Sequence, residues 1–164
     1  MKKSKLADYI FNRIKDAGVD CTFGIPGDFV LPLYAAQARN ELKTIVMTHE
    51  PSVGFAADAY ARTKGLGIAL VTYGAGGLNM VNPVGLAYAE ESPLIVISGS
   101  PETRYRGQQP LLHHVVKNID TQLKVFQEVT ESQAMLSNPM TAQDDIDRVF
   151  STTQKFSRPG YLEI

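Results

Sequence analysis

Two short runs, "LGIALVTYG" at 66–74 and "PLIVISGS" at 93–100, are apolar at nearly every position and rich in branched side chains. Such runs are short for a helix, and unbroken apolarity means a strand covered on both faces, as in a parallel sheet flanked by helices. The segments around them keep the same rhythm. Leu6, Ile10 and Ile14, joined by Ala7 and Ala17, recur at helical spacing before Gly18, predicting a surface helix over 3–17. "CTFGI" reads as a strand ending at "IPGD", whose Pro26-Gly27 pair suits the central positions of a type II turn, and "FVLPLYAAQAR" resumes as helix. "KTIVMT" follows as strand and "PSVGFAADAYART" as helix with Pro51 at its first position. After the glycine turn at 74–77 comes "LNMVNPVGLAYAEE", where Pro83 would disrupt a helix interior, so this helix is expected to begin at Asn82 with Pro83 at its first position. "QEVTESQAML", a helix of about 15 residues from Thr141 and a final "GYLEI" complete the chain. The fold class that results is α/β, a three-layer sandwich with a central parallel sheet of about six strands and helices on both faces.

In open sheets of this kind, ligands collect beyond the carboxyl ends of the strands. Asp28, Glu50 and the 74–77 glycine turn each follow a predicted strand, and His113-His114 lie in the loop after "PLIVISG". These unusual features therefore share one rim.

At 164 residues the chain has room for one ordinary domain, and a net charge of −1 leaves no electrostatic footprint for nucleic acid or an anionic membrane. No stretch of about 18 apolar residues exists to span a bilayer. The start "MKKSKLADYI" lacks the uninterrupted apolar run of a signal peptide. Cys21 is the only cysteine, which fits a reducing compartment and a cytoplasmic address. The end at "RPGYLEI", inside an apolar run, suggests truncation at a domain boundary.

Each candidate residue has a structural reading beside a functional one. Asp28 can cap the helix that starts at Phe29. Glu50, before Pro51, also stands at a helix start, but glutamate is a weaker cap than Ser, Thr, Asp or Asn. "TYGAGGLN" is half a phosphate-binding loop with Asn79 where a full fingerprint needs glycine, so it serves close backbone approach to a ligand or partner rather than a diphosphate cradle. His113 and His114 can be a solvated pair, and in an extended segment their side chains point to opposite sides, so that only one reaches a given ligand atom. No His-Glu-x-x-His or Cys-x-x-Cys spacing marks a metal site, and no nucleophile elbow is present. The small residues of "SVGFAADAYA" imply tight packing of that helix against another element, or against a second chain.

Taken together, "GIPGDF", "HEPSVGFAADAYAR", "VTYGAGGLNMVN", "AYAEESPLIVISGSP" and "LLHH" followed by "DTQLKVFQEVT" resemble the N-terminal pyrimidine-binding domain of thiamine-diphosphate-dependent 2-keto acid decarboxylases. The match runs nearly end to end and lies within the pyruvate, indolepyruvate and phenylpyruvate decarboxylase branch. The resemblance implies that Glu50 hydrogen-bonds the aminopyrimidine N1′ and promotes removal of the thiazolium C2 proton, and that Asp28, His113 and His114 form a proton relay linked to aldehyde release. It places Pro26, Gly27, Thr72, Gly76 and Asn79 beside Glu50 at the cofactor, and leaves His49 as a mere neighbour of Glu50. It further implies that the diphosphate and Mg2+ are held by a separate domain, since the Gly-Asp-Gly that the family uses for them is absent from this sequence, so residues 1–164 alone are expected to be inactive and to carry no metal site of their own. The expected partners are a 2-keto acid, that diphosphate-binding domain or subunit, and a second copy in a homodimer, with neither nucleic acid nor membrane. Two other readings compete: a stand-alone binding or regulatory module that has kept the fold without catalysis, and a nucleotide-binding oxidoreductase, which Asn79 and the incomplete glycine fingerprint disfavour.

Overall fold

The computed structural model describes residues 5–108 and 111–164. The first residues of the predicted 3–17 helix, and Gln109 and Pro110 ahead of the histidine doublet, lie outside them. In chain order the elements are α1 (Leu6–Asp16), β1 (Cys21–Gly24), a 3₁₀ turn (Asp28–Val30), α2 (Leu31–Arg39), β2 (Lys43–Val46), α3 (Glu50–Lys64) and β3 (Gly67–Val71). There follow α4 (Ala75–Asn79), α5 (Val81–Ala89), β4 (Leu94–Ser98), a 3₁₀ turn (Thr103–Tyr105), α6 (Thr121–Gln127), β5 (Ser132–Met135), α7 (Ala142–Phe156) and β6 (Gly160–Glu163).

Among the described residues the six strands are all parallel, in the order β2-β1-β3-β4-β6-β5. The period-two alternation of the central strands builds two cores. Ile68 and Leu70 of β3 with Ile95 and Ile97 of β4 face α1, α2 and α7 through Ile10, Phe11, Ile14, Leu33, Val149 and Phe150. Ala69 and Val71 with Leu94 and Val96 face α3, α5 and α6 through Val53, Ala57, Val84 and Phe126. β3 and β4 are buried at every position, which explains why their sequences show no polar alternation. Each buried Ile, Leu or Val side chain contributes about 1.5–3 kcal/mol of transfer free energy. The predicted three-layer sandwich is thus the observed one. No helix of the described residues is long and apolar enough to cross a membrane.

The chain leaves β1 toward β2 on one side, whereas from β3 it proceeds to β4 on the other. The connections diverge between β1 and β3, and it is beyond the carboxyl ends of the strands at such a point that open α/β sheets bind their ligands.

Several local expectations are corrected. Pro26-Gly27 is not a type II turn, because Gly27 is extended, with φ −149° and ψ 163° rather than the positive φ that turn requires. Glycine is needed there for a different reason, since a Cβ would lie 2.6 Å from Thr72 Cβ. A 3₁₀ turn over Asp28–Val30 precedes α2, so no α-helix starts at Phe29. α5 starts at Val81, not Asn82, and Pro83 sits in its first turn, where its missing N–H forfeits no helical hydrogen bond. Pro51 stands at the second position of α3, behind Glu50. The stretch 127–136 is not one strand: Gln127 ends α6, and only Ser132–Met135 pairs into the sheet. The expected tight packing of α3 against another element is met at Gly54, where a Cβ would lie 2.2 Å from Pro83 of α5.

Candidate functional site

Beyond the carboxyl ends of β1 and β3, residues from four connections come together. Asp28, just beyond β1, accepts a hydrogen bond at Oδ1 from the Phe29 N–H at 3.0 Å and another from the Thr72 hydroxyl, beyond β3, at 3.1 Å. Its other oxygen, Oδ2, is in direct hydrogen-bond contact with His113 Nε2. That contact, above all, holds the Asp28 carboxyl below the usual carboxylate range, against a smaller opposing effect of partial burial.

The doublet does not behave as an extended pair. His114 adopts a left-handed backbone, φ 65°, which cancels the alternation of side chains and brings both rings to one side. The His113 and His114 ring centroids are 4.8 Å apart in an edge-on arrangement. Phe29 stacks on His113 with centroids 5.0 Å apart and planes 20° from parallel. The expectation that only one histidine could reach a given atom is therefore overturned by a single backbone dihedral.

Glu50 opens α3, where a carboxylate is favoured by the positive end of the helix dipole. It is half-buried, and Asn79 Nδ2 donates to its Oε2 at 3.3 Å. A Cβ added at Gly76 would lie 3.2 Å from Glu50 Oε1 and 3.0 Å from Thr72 Cγ2, so the bare glycine leaves a flat floor between the Glu50 carboxylate and the Asp28–Thr72 pair. Glu50, Asn79, Gly76, Thr72, Gly27 and Asp28 are therefore contiguous, while Pro26 lies exposed just ahead of them. An open carboxylate beside a flat glycine surface suits a planar heterocycle with a protonatable ring nitrogen. His49 is exposed at the cap of α3, and its side chain makes no cap hydrogen bond.

Beneath the rim lies a buried polar chain that sequence reading missed. Gln122 Oε1 accepts from the Gly74 N–H at 2.7 Å, and Gln122 Nε2 donates to Ser98 Oγ at 2.9 Å and to the Tyr161 hydroxyl at 2.7 Å. Tyr161 donates to Glu163 Oε2 at 2.8 Å, and Glu163 Oε1 accepts from Arg106 Nη2 at 2.8 Å. Arg106 in turn pairs with Asp120. The glycine turn is thereby tied to the loop that carries the histidines. Glu163 is fully buried, and desolvation pushes its carboxyl up despite the opposing pull of Tyr161 and Arg106. A glutamate inside the otherwise apolar "GYLEI" was the signal that could have revealed it.

Gly74 has φ 73° and ψ −113°, and a Cβ there would fall 2.2 Å from the His114 carbonyl oxygen. Gly74→Ala is expected to lower stability by about 1–3 kcal/mol from backbone strain, with more from the clash, measured as a drop in the thermal midpoint. Gln122→Met keeps the volume but strands the Gly74 N–H. It is expected to cost about 1–3 kcal/mol, read as a lower urea midpoint at unchanged slope.

The family description "Thiamine pyrophosphate enzyme, N-terminal TPP binding domain" matches residues 4–128. The chain is 49% identical over 162 residues to an indole-3-pyruvate decarboxylase of Azospirillum brasilense, covering 98% of this chain and 30% of that protein. It is 38% identical over 162 residues to pyruvate decarboxylase 2 of Nicotiana tabacum, covering 97% of this chain and 26% of that protein. Over 161 residues it is 36% identical to a pyruvate decarboxylase of Aspergillus parasiticus, covering 97% and 28% respectively. The chain thus spans less than a third of the length of these relatives.

Proposed function

The chain belongs to the thiamine pyrophosphate enzyme family as an N-terminal TPP binding domain, and from that membership we propose that it is the pyrimidine-binding part of a thiamine-diphosphate-dependent carboxy-lyase acting on 2-keto acids. The observation that carries this reading is that Gly76 is flanked by the Glu50 carboxylate on one side and by Thr72 on the other, and that Thr72 is hydrogen-bonded to Asp28 of the Asp28–His113–His114 cluster. Bound there, thiamine diphosphate supplies the electron-accepting thiazolium that makes loss of carbon dioxide possible.

In this reading the chain's own residues manage protons. Glu50 accepts and returns a proton at the aminopyrimidine nitrogen, and Asn79 orients its carboxylate. Pro26, Gly27, Thr72 and Gly76 shape the surface against the ring. Asp28, held as the carboxylate by its contact with His113, orients that ring, and His113 with His114 hands a proton to the departing product.

The 164 residues form one domain in this proposal, and the diphosphate and Mg2+ are held by another stretch of polypeptide, without which the domain is inactive. Phe55 on α3 and Leu86 on α5 each remain 40% exposed, which supports a second copy covering that face in a homodimer. A lone, buried Cys21 thiol supports a cytoplasmic setting. The test is carbon dioxide release from pyruvate, phenylpyruvate and indolepyruvate by the complete enzyme with thiamine diphosphate and Mg2+. Turnover of any of them supports the reading and ranks the substrates. Absence of turnover with the cofactor bound favours a non-catalytic binding module.

A further inference from the structure

Asp28 and His113 are 85 residues apart in sequence, which is why no metal-ligand spacing is visible there. In the fold, one ligand atom from each of Asp28, His113 and His114 lies within 4.8 Å of the other two, and all three side chains are exposed. We propose that this trio is a binding site for a single borderline transition-metal ion of the Zn2+ class. The proposal stands on the positions of the three side chains and holds whether or not the chain serves a decarboxylase.

Two neutral imidazoles and one carboxylate are a donor set that Zn2+ takes with bonds of about 2.0–2.2 Å, leaving a fourth position for water. A tetrahedral ion with such bonds needs its donors roughly 3.3–3.5 Å apart. No pair therefore has to close by more than about 1.5 Å, and the Asp28–His113 pair parts to admit the ion, both of which rotation of exposed side chains supplies. The surroundings already orient the ligands. Phe29 N–H and the Thr72 hydroxyl both hold Asp28 Oδ1, which leaves Oδ2 as the oxygen turned toward His113. Stacking on Phe29 fixes the His113 ring plane, and the left-handed backbone of His114 returns the second ring to the same side. Such outer contacts are the usual support of a metal ligand. Mg2+ prefers oxygen donors in octahedral geometry and is not a competitor for two imidazoles. An ion bound there takes the place of the Asp28–His113 hydrogen bond, so metal binding and proton transfer by this cluster exclude one another.

Co2+ serves as the probe, titrated into the complete protein with saturating Mg2+ present. The expected result is one Co2+ per chain with the strong visible absorption of a four-coordinate ion, displaced by Zn2+. His113→Ala and Asp28→Asn are each expected to weaken Co2+ binding at least roughly tenfold. His114→Asn, chosen because asparagine tolerates a left-handed backbone, is expected to do the same. His49→Ala is expected to leave it unchanged. Circular dichroism confirms that each variant is folded. Equal Co2+ affinity across wild type and the three cluster variants overturns the proposal, as does a spectrum that stays octahedral at saturation.

Discussion

Glu50→Gln is expected to reduce carbon dioxide release by the complete enzyme about 10²- to 10⁴-fold, the range that a positioned acid–base group contributes. The substitution isolates proton transfer. Glutamine has the same shape, can still accept from Asn79 Nδ2 through its carbonyl, and fits the 3.2 Å approach of the Gly76 site, but it can neither take up nor return a proton. Stability should hardly change: loss of a carboxylate from the first turn of α3 is worth about 0.3–1 kcal/mol. A large fall in turnover with a thermal midpoint within a few degrees of wild type is therefore the expected pattern. Glu50→Asp keeps the charge but withdraws it by one methylene, and should fall between the two. Turnover of Glu50→Gln within tenfold of wild type would remove Glu50 from the chemistry.

Asp28→Asn is expected to lower turnover about 10²-fold or more while leaving affinity for thiamine diphosphate little changed, because Asp28 touches His113 and Thr72 rather than Glu50. Asparagine can keep the Oδ1 contacts but presents a neutral amide to His113, so the ring loses its ionic partner. The Asp28 carboxyl is held low chiefly by His113, and the sign of the linkage is definite. A lowered carboxyl stabilises the fold fully above its unfolded value of about 3.9, and that contribution is lost as pH falls through the folded value. The contribution of the Asp28 carboxylate to the clasp between the β1 turn and the histidine loop is thus lost only in acid. Carbon NMR should find the Asp28 carboxyl titrating below the ordinary aspartate value in wild type and returning toward it in His113→Ala. An unchanged titration would mean that the contact does not persist in solution.

The two partners of this clasp show how unevenly the sequence disclosed the molecule. β3 and β4 were legible because both their faces are buried, so their apolar runs are unbroken. α7 was equally plain, since Ile146, Val149, Phe150 and Thr153 recur at helical spacing over a full 15 residues. α6 was not, because seven residues, of which only Gln122 and Phe126 are buried, leave too little periodicity, and no Gly or Pro separates it from β5. Asp28, Glu50 and the doublet could be assigned to one rim from strand order alone. Their convergence could not, because it depends on the positive φ of His114 and on a contact across 85 residues. Gln122, Tyr161 and Glu163 escaped notice for another reason: a buried polar chain has no sequence period, and its members become visible only when their partners are in place.

The central claim is that this chain brings Glu50 to the aminopyrimidine so that the cofactor can be activated before any substrate arrives. The most direct measurement is the rate at which the C2 hydrogen of thiamine diphosphate, bound to the complete enzyme in the absence of keto acid, exchanges for deuterium. Fast exchange in wild type and exchange slowed about 10²-fold or more in Glu50→Gln is the predicted result. Equal exchange rates in the two proteins, with cofactor equally bound, would contradict it.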